Sequence, residues 1–169
     1  MTRTALSHLL GVLCLLGSGA CARAEGHLTC TVRVIHAKDP VTASNGAEAA
    51  PKVDPRIDLV RPYLLRPPFT AWHEFELLDS KTLDVVENAP QGFTLPNGKV
   101  ATFTLVQHLP DTGGKRHRVR MQLELGQGTP NSLKTVFVID EGGIVLQAGQ
   151  PHRHGMLVLG TSCTEGAAR

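Results

Sequence analysis

The chain is poor in aromatic residues, with one Trp, one Tyr and five Phe among 169 residues, and its 17 basic side chains barely exceed its 15 acidic ones. A basic, aromatic face of the kind that holds nucleic acid is therefore not expected. Long apolar runs are lacking too. The longest, residues 5–16, is interrupted by Ser7, His8 and Gly11 and falls short of the roughly 20 residues a spanning helix needs, so no membrane span is expected in the mature chain. Signatures of catalysis are missing: no G-x-S-x-G elbow, no H-E-x-x-H helix, and no phosphate-cradling Gly-rich loop followed by Lys. No catalytic residue and no cofactor is assigned.

What the first residues do contain is an address. Arg3 supplies a positive start, the interrupted apolar run follows, and "ARA" at residues 22–24 is the pattern a signal peptidase reads before its cut. Residues 1–24 are read as a signal peptide and residues 25–169 as a single exported domain, periplasmic or extracellular. The competing reading is a lipoprotein tethered through Cys21, against which stands Ser18 where such signals usually carry Leu. Loss of the leader removes Arg3 and Arg23, which takes the formal charge from +2 to neutrality.

The same cut sorts the four cysteines. Cys14 and Cys21 leave with the leader, while Cys30, in the first strand-like segment, and Cys163, in the last, remain. In an oxidising compartment a disulfide joining the two ends is the economical reading. A dithiol redox role would normally use neighbouring cysteines, and these two lie almost a domain apart.

Residues 28–35, "LTCTVRVI", alternate with the period of a half-buried strand. Residues 38–53, rich in Ala, Pro, Ser, Asn and Gly, are expected to form a flexible connection. At residues 54–68, "DPRIDLVRPYLLRPP", Asp54 suits an N-cap and Pro55 the first helical position, with Ile57, Val60, Leu64 and Leu65 on one face. A short helix near residues 55–65 is predicted, interrupted at Pro62 and ended by Pro67 and Pro68. Beyond it the chain reads as strands and turns: residues 72–78, residues 83–86, a hairpin at Asn97 and Gly98, an alternating run at 119–125, a strand-turn-strand around residues 141–143, and a closing strand from Met156. The fold class expected is mostly β, an antiparallel sandwich or barrel of about eight strands with one short helix.

The segments "IDLVRPYLLRPPFTAWHEFELL", "TLPNG" and "GQPHRHGMLVLGTSC" together resemble a group of small, uncharacterised exported bacterial proteins. The resemblance covers most of the mature chain and implies export; it transfers no activity and no functional residue. The shorter stretch "TVFVIDEGGIVLQAG" is similar to hairpins of secretin-type outer-membrane pores, a likeness that any twisted hairpin with an acidic-Gly turn would share.

The strongest chemical pattern is "QPHRHGM", residues 150–156. Fully extended, it would project His152, His154 and Met156 to one side, a donor set suited to copper or zinc. Pro151 and Gly155 argue instead for a turn, Arg153 sets a positive charge between the imidazoles, and Met156 can open the last strand as a core residue. A metal site would need a further ligand, which His108 or His117 could supply only from the same end of the domain. His36 and His73 read as ordinary strand residues, and the basic stretch at 115–120, "KRHRVR", as alternating faces of one strand. Asp111, Asp140 and Glu141 precede glycines, as turns require. The function expected is a non-enzymatic envelope domain that binds another envelope protein or supports an assembly. A metal-binding module centred on His152, His154 and Met156 is the alternative, and a hydrolase built from scattered Asp, Glu and His a third.

Overall fold

Alternation at the start of the chain sets the centre of the fold. In a computed structural model that describes residues 28–40, 50–110, 117–129 and 132–165, β1 (Leu28–Pro40) turns Leu28, Cys30, Val32 and Val34 to one side, all buried, because successive strand side chains point to opposite faces. It is flanked by β3 (Trp72–Val85) and β9 (Gly155–Glu165), both antiparallel to it. The short β2 (Lys52–Val53) and the strand β8 (Ile144–His152) complete a five-stranded sheet of order β2-β3-β1-β9-β8. A second sheet has the order β4-β5-β6-β7, formed by Gln91–Thr94, Val100–Leu109, Arg118–Leu125 and Leu133–Asp140. All pairings are antiparallel except β2 with β3. The two sheets make a sandwich, not a closed barrel. The expected leader, and the middle of the expected connection, lie outside the described residues.

Two apolar clusters hold the elements together. Between the sheets, Val32, Val34 and Leu159 meet Phe103, Leu105, Met121 and Leu123, all essentially inaccessible to water. Burying each large side chain contributes about 1.5–3 kcal/mol. On the outer face of the five-stranded sheet, Ile35, Ala37, Phe75 and Val158 are covered by Ile57, Val60 and Leu64. That cover is the helical segment the sequence placed at residues 55–65. Asp54 caps it through the Arg56 N–H at 2.9 Å, and its carboxylate also accepts the Leu77 N–H at 3.2 Å, which ties the cap to β3. The Arg56 guanidinium beside it, together with those N–H donors, holds the Asp54 carboxyl well below the usual carboxylate range.

Several expectations change. The helical segment is a 3-10 stretch, Pro55–Val60, followed by α1 (Arg61–Leu64). Its irregular residue is Ile57; Pro62 sits in the first turn of α1, where a missing N–H costs nothing. Leu65 faces solvent. Residues 72–78 and 83–86 are one strand, because β1 pairs along all of β3 and a bulge near Leu78 absorbs the irregularity. Lys38, Asp39 and Pro40 continue β1, and Lys52–Val53 forms β2, so the connection is shorter than expected. In the hairpin at residues 95–99, Leu95 accepts from Gly98 and donates to Lys99, and only Gly98, at φ 79°, takes positive φ; Pro96 presets the turn before it. The strand-turn-strand at 141–143 is no hairpin: β7 and β8 belong to different sheets. Its N–H groups serve both, Glu141 donating to His117 and Gly142 to Cys163.

Candidate functional site: two histidine pairs and an open edge

Cys30 lies opposite Cys163 in the β1–β9 ladder, and their sulfurs are bonded at 2.12 Å. The bridge joins two neighbouring central strands across 133 residues of sequence, as the cysteine arithmetic required. Both residues are buried.

"QPHRHGM" is the β8–β9 turn. His152 pairs with Gly155 and Pro151 with Met156, leaving Arg153, at φ 50°, and His154 as the loop. Reversal of the chain there breaks the side-to-side alternation that an extended segment would have. His152 faces the gap between the sheets with Gln150, both buried; Met156 packs in the outer cluster; His154 is exposed. The three side chains do not converge. Among the described residues no three His, Cys, Asp or Glu side chains come together as metal ligands would.

The partner of His152 is one the sequence did not suggest. His36, on β1, meets it edge-to-face with ring centroids 5.1 Å apart and planes at 78°. Both rings are buried, and the Nε2 of each has no hydrogen-bond partner. Burial, then the neighbouring His152, push the His36 pKa down, with Lys38 and Arg153 adding to the effect; a hydrogen bond with the His152 backbone opposes it. Lys38 is itself claimed by Glu74 and Glu76, each at 3.1 Å. From the other sheet, Lys99 donates to Gln150 at 2.8 Å and Asn97 to the Pro151 carbonyl at 3.2 Å. This end of the sandwich is closed by polar side chains and two buried imidazoles.

His108 and His117 form a second pair at the other end. His108 Nδ1 is 3.2 Å from His117 Nε2, and His117 Nδ1 is 3.1 Å from the Glu165 carboxylate. Such a line can pass a proton from ring to ring, since one nitrogen must donate where the other accepts, but it ends at the buried, unpartnered Nε2 of His108. Gly155, opposite His152, opens β9 and Glu165 closes it, so the two pairs stand about 30 Å apart at strand spacing. His108 and His117 therefore cannot complete a site at His152. Asp140 and Glu141 serve the turn, as expected of them.

The sheet edges differ from these ends. β7 is the last strand of its sheet, and among the described residues no strand pairs with it beyond β6. Its inner residues Phe137 and Ile139 pack into the core, while Val136 and Val138, 53% and 43% exposed, point to solvent between Lys134 and Asp140. Since Glu141 donates to His117 and ladder bonding alternates, the even residues Lys134, Val136 and Val138 aim their backbone groups away from β6. Nearby, β8 is the edge of the other sheet but carries a bulge at Gly149 and a proline at 151, devices that blunt edge pairing. The signal for β7 was in the sequence: Val136 to Ile139 is apolar on both faces, a pattern suited to a strand covered on both sides.

No protein-family model, curated protein or solved structure matches the chain. Fold and geometry together define a disulfide-stapled two-sheet β-sandwich with a helical cover and, among the described residues, an open edge at β7.

Proposed function

We propose that the protein is a non-enzymatic, exported binding domain of the bacterial envelope, and that it takes a strand of a partner protein against β7. The observation that carries this reading is the contrast between two neighbouring edge strands: β8 is bulged and proline-bearing, whereas β7 has two exposed valines and, among the described residues, no strand paired beyond it. An edge of that kind is a template for strand addition, in which main-chain hydrogen bonds supply affinity and alternate side chains supply selectivity. Export is supported by the leader-like residues 1–24 and by the Cys30–Cys163 bridge. Among the described residues no helix is long and apolar enough to cross a membrane.

The test is in-cell photo-cross-linking. A photoreactive residue at position 136 should yield adducts with an envelope protein, and the same residue at position 31, on the opposite sheet, should yield none. A folded, exported chain that forms no adduct from position 136 would overturn the reading.

A further inference from the structure

We infer that the strand added to β7 is β7 of a second copy of this chain, so that two four-stranded sheets join into one across a two-fold axis. This rests on the reading of β7 as a binding edge and specifies its occupant. The argument is one of register. Only the even residues Lys134, Val136 and Val138 offer backbone groups to the open side, as the Glu141–His117 bond fixes, so an antiparallel copy must set even residues against even ones. In the register centred on Phe137, Lys134, which within its own chain lies 3.0 Å from the Glu124 carboxylate, comes opposite Asp140 of the second copy, and Val136 opposite its Val138.

By symmetry each pairing occurs twice. Val136 and Val138, exposed in the single chain, become with those of the second copy one patch of four valines, closed at both ends by opposite charges, and the two Phe137 side chains meet on the core side. Sliding the copies by two residues in one direction sets Val138 against Lys134; sliding the other way sets Val136 against Asp140. Both alternatives oppose an apolar side chain to a charge and lose the ion pairs. The sequence of β7, "LKTVFVID", is thus self-complementary in a single register, as a two-fold interface requires of one surface. β8 lacks this property, since its bulge at Gly149 and its proline at 151 interrupt the edge.

Sedimentation of the full, disulfide-bonded chain over a concentration series should show a reversible dimer. Val136→Lys should weaken it by about ten-fold or more, because each contact is made twice, while Thr31→Lys on the opposite sheet should leave it unchanged. Register is read separately in a Cys14→Ser, Cys21→Ser background. There, Val136→Cys and Val138→Cys chains should cross-link when mixed and oxidised, and each alone should not.

A chain that stays monomeric at every concentration, or a dimer indifferent to Val136→Lys, would overturn the self-pairing. So would efficient cross-linking of Val136→Cys alone, which requires another register. If self-pairing fails while position 136 still captures a different envelope protein in cells, the binding-edge reading stands and only its occupant is wrong. If neither occurs, both fall.

Discussion

The two ends of the sandwich each contain a pair of histidines, and the pairs differ in what surrounds them. His36 and His152 are sealed under the β8–β9 turn, with Lys38, Lys99 and Arg153 nearby and, among the described residues, no carboxylate hydrogen-bonded to either ring. His108 and His117 are joined ring to ring and end on Glu165, whose side chain is 57% exposed. Placement decides the chemistry: burial and neighbouring cations disfavour the charged form of His36, whereas His117 has a carboxylate as its neighbour. The ends also differ in fastening. One carries the Cys30–Cys163 bridge near the start of β1 and the end of β9; the other relies on close packing and side-chain hydrogen bonds.

Removing the covalent fastening should have the largest effect. Replacing Cys30 and Cys163 together by Ser opens a loop of 133 residues, which on the chain-entropy account costs about 4–5 kcal/mol. Denaturant unfolding of the double variant should show the loss, and hydrogen exchange should speed up first at the Glu165 end. A change under about 1 kcal/mol would mean that the bridge does not constrain the unfolded chain as supposed.

At the uncovalent end the equivalent fastening is a glycine. A Cβ on Gly155 would overlap the Ala37 carbonyl oxygen and come within 2.8 Å of His36 Nε2, and the backbone atom cannot swing aside. Gly155→Ala should cost about 1–3 kcal/mol, as overpacking does. Gly98→Ala in the neighbouring hairpin meets nothing within 4 Å but must hold φ 79°, so about 1–2 kcal/mol is expected from backbone strain alone. If Gly155→Ala melts like the wild type, β8–β9 does not seat on β1 as tightly as described.

How much of this could be read from residues alone follows the range of the interaction. The Asp54 cap and the core alternation of β1 are local and were legible. The Cys30–Cys163 bridge is distant in sequence, yet reading residues 1–24 as a leader left only these two cysteines to pair. His36 and His152 offered no such restriction, because any of several histidines could have been the neighbour and only the β1–β9–β8 ladder chooses. The turn at 141–143 was legible as a turn but not as a corner between sheets. Its residues satisfy either role, and what decides is that β7 pairs with β6 and β8 with β9. At "QPHRHGM", Pro151 and Gly155 marked the reversal, and that local signal outweighed the alternating donors.

The buried His36 should make stability depend on pH. The His36 pKa is lowered in the folded state, so below about pH 6.5, the ordinary histidine value, the unfolded chain takes up a proton that the folded chain refuses. Stability from this source is complete above that pH and declines as the pH falls towards the depressed folded value. Melting temperature should therefore drop between pH 7 and pH 5, and His36→Gln should flatten the drop. An unchanged slope in that variant would assign the acid sensitivity to other groups.

The smallest effect is expected at the opposite pair. Glu165→Gln leaves a neutral amide where His117 Nδ1 now meets a carboxylate at 3.1 Å. The Glu165 side chain is more than half exposed, and water and salt screen a contact of that kind, so the loss should be under about 1 kcal/mol and smaller still at high ionic strength. The His108–His117 contact does not depend on that carboxylate, since either ring can donate to the other. Nitrogen chemical shifts of the two rings can separate the contributions. The substitution should move the His117 Nδ1 signal and leave the His36 and His152 signals where they were. A response at His36 would show that the two ends communicate along β1 and β9, and would replace the picture of two independent closures with one of a single coupled strand pair.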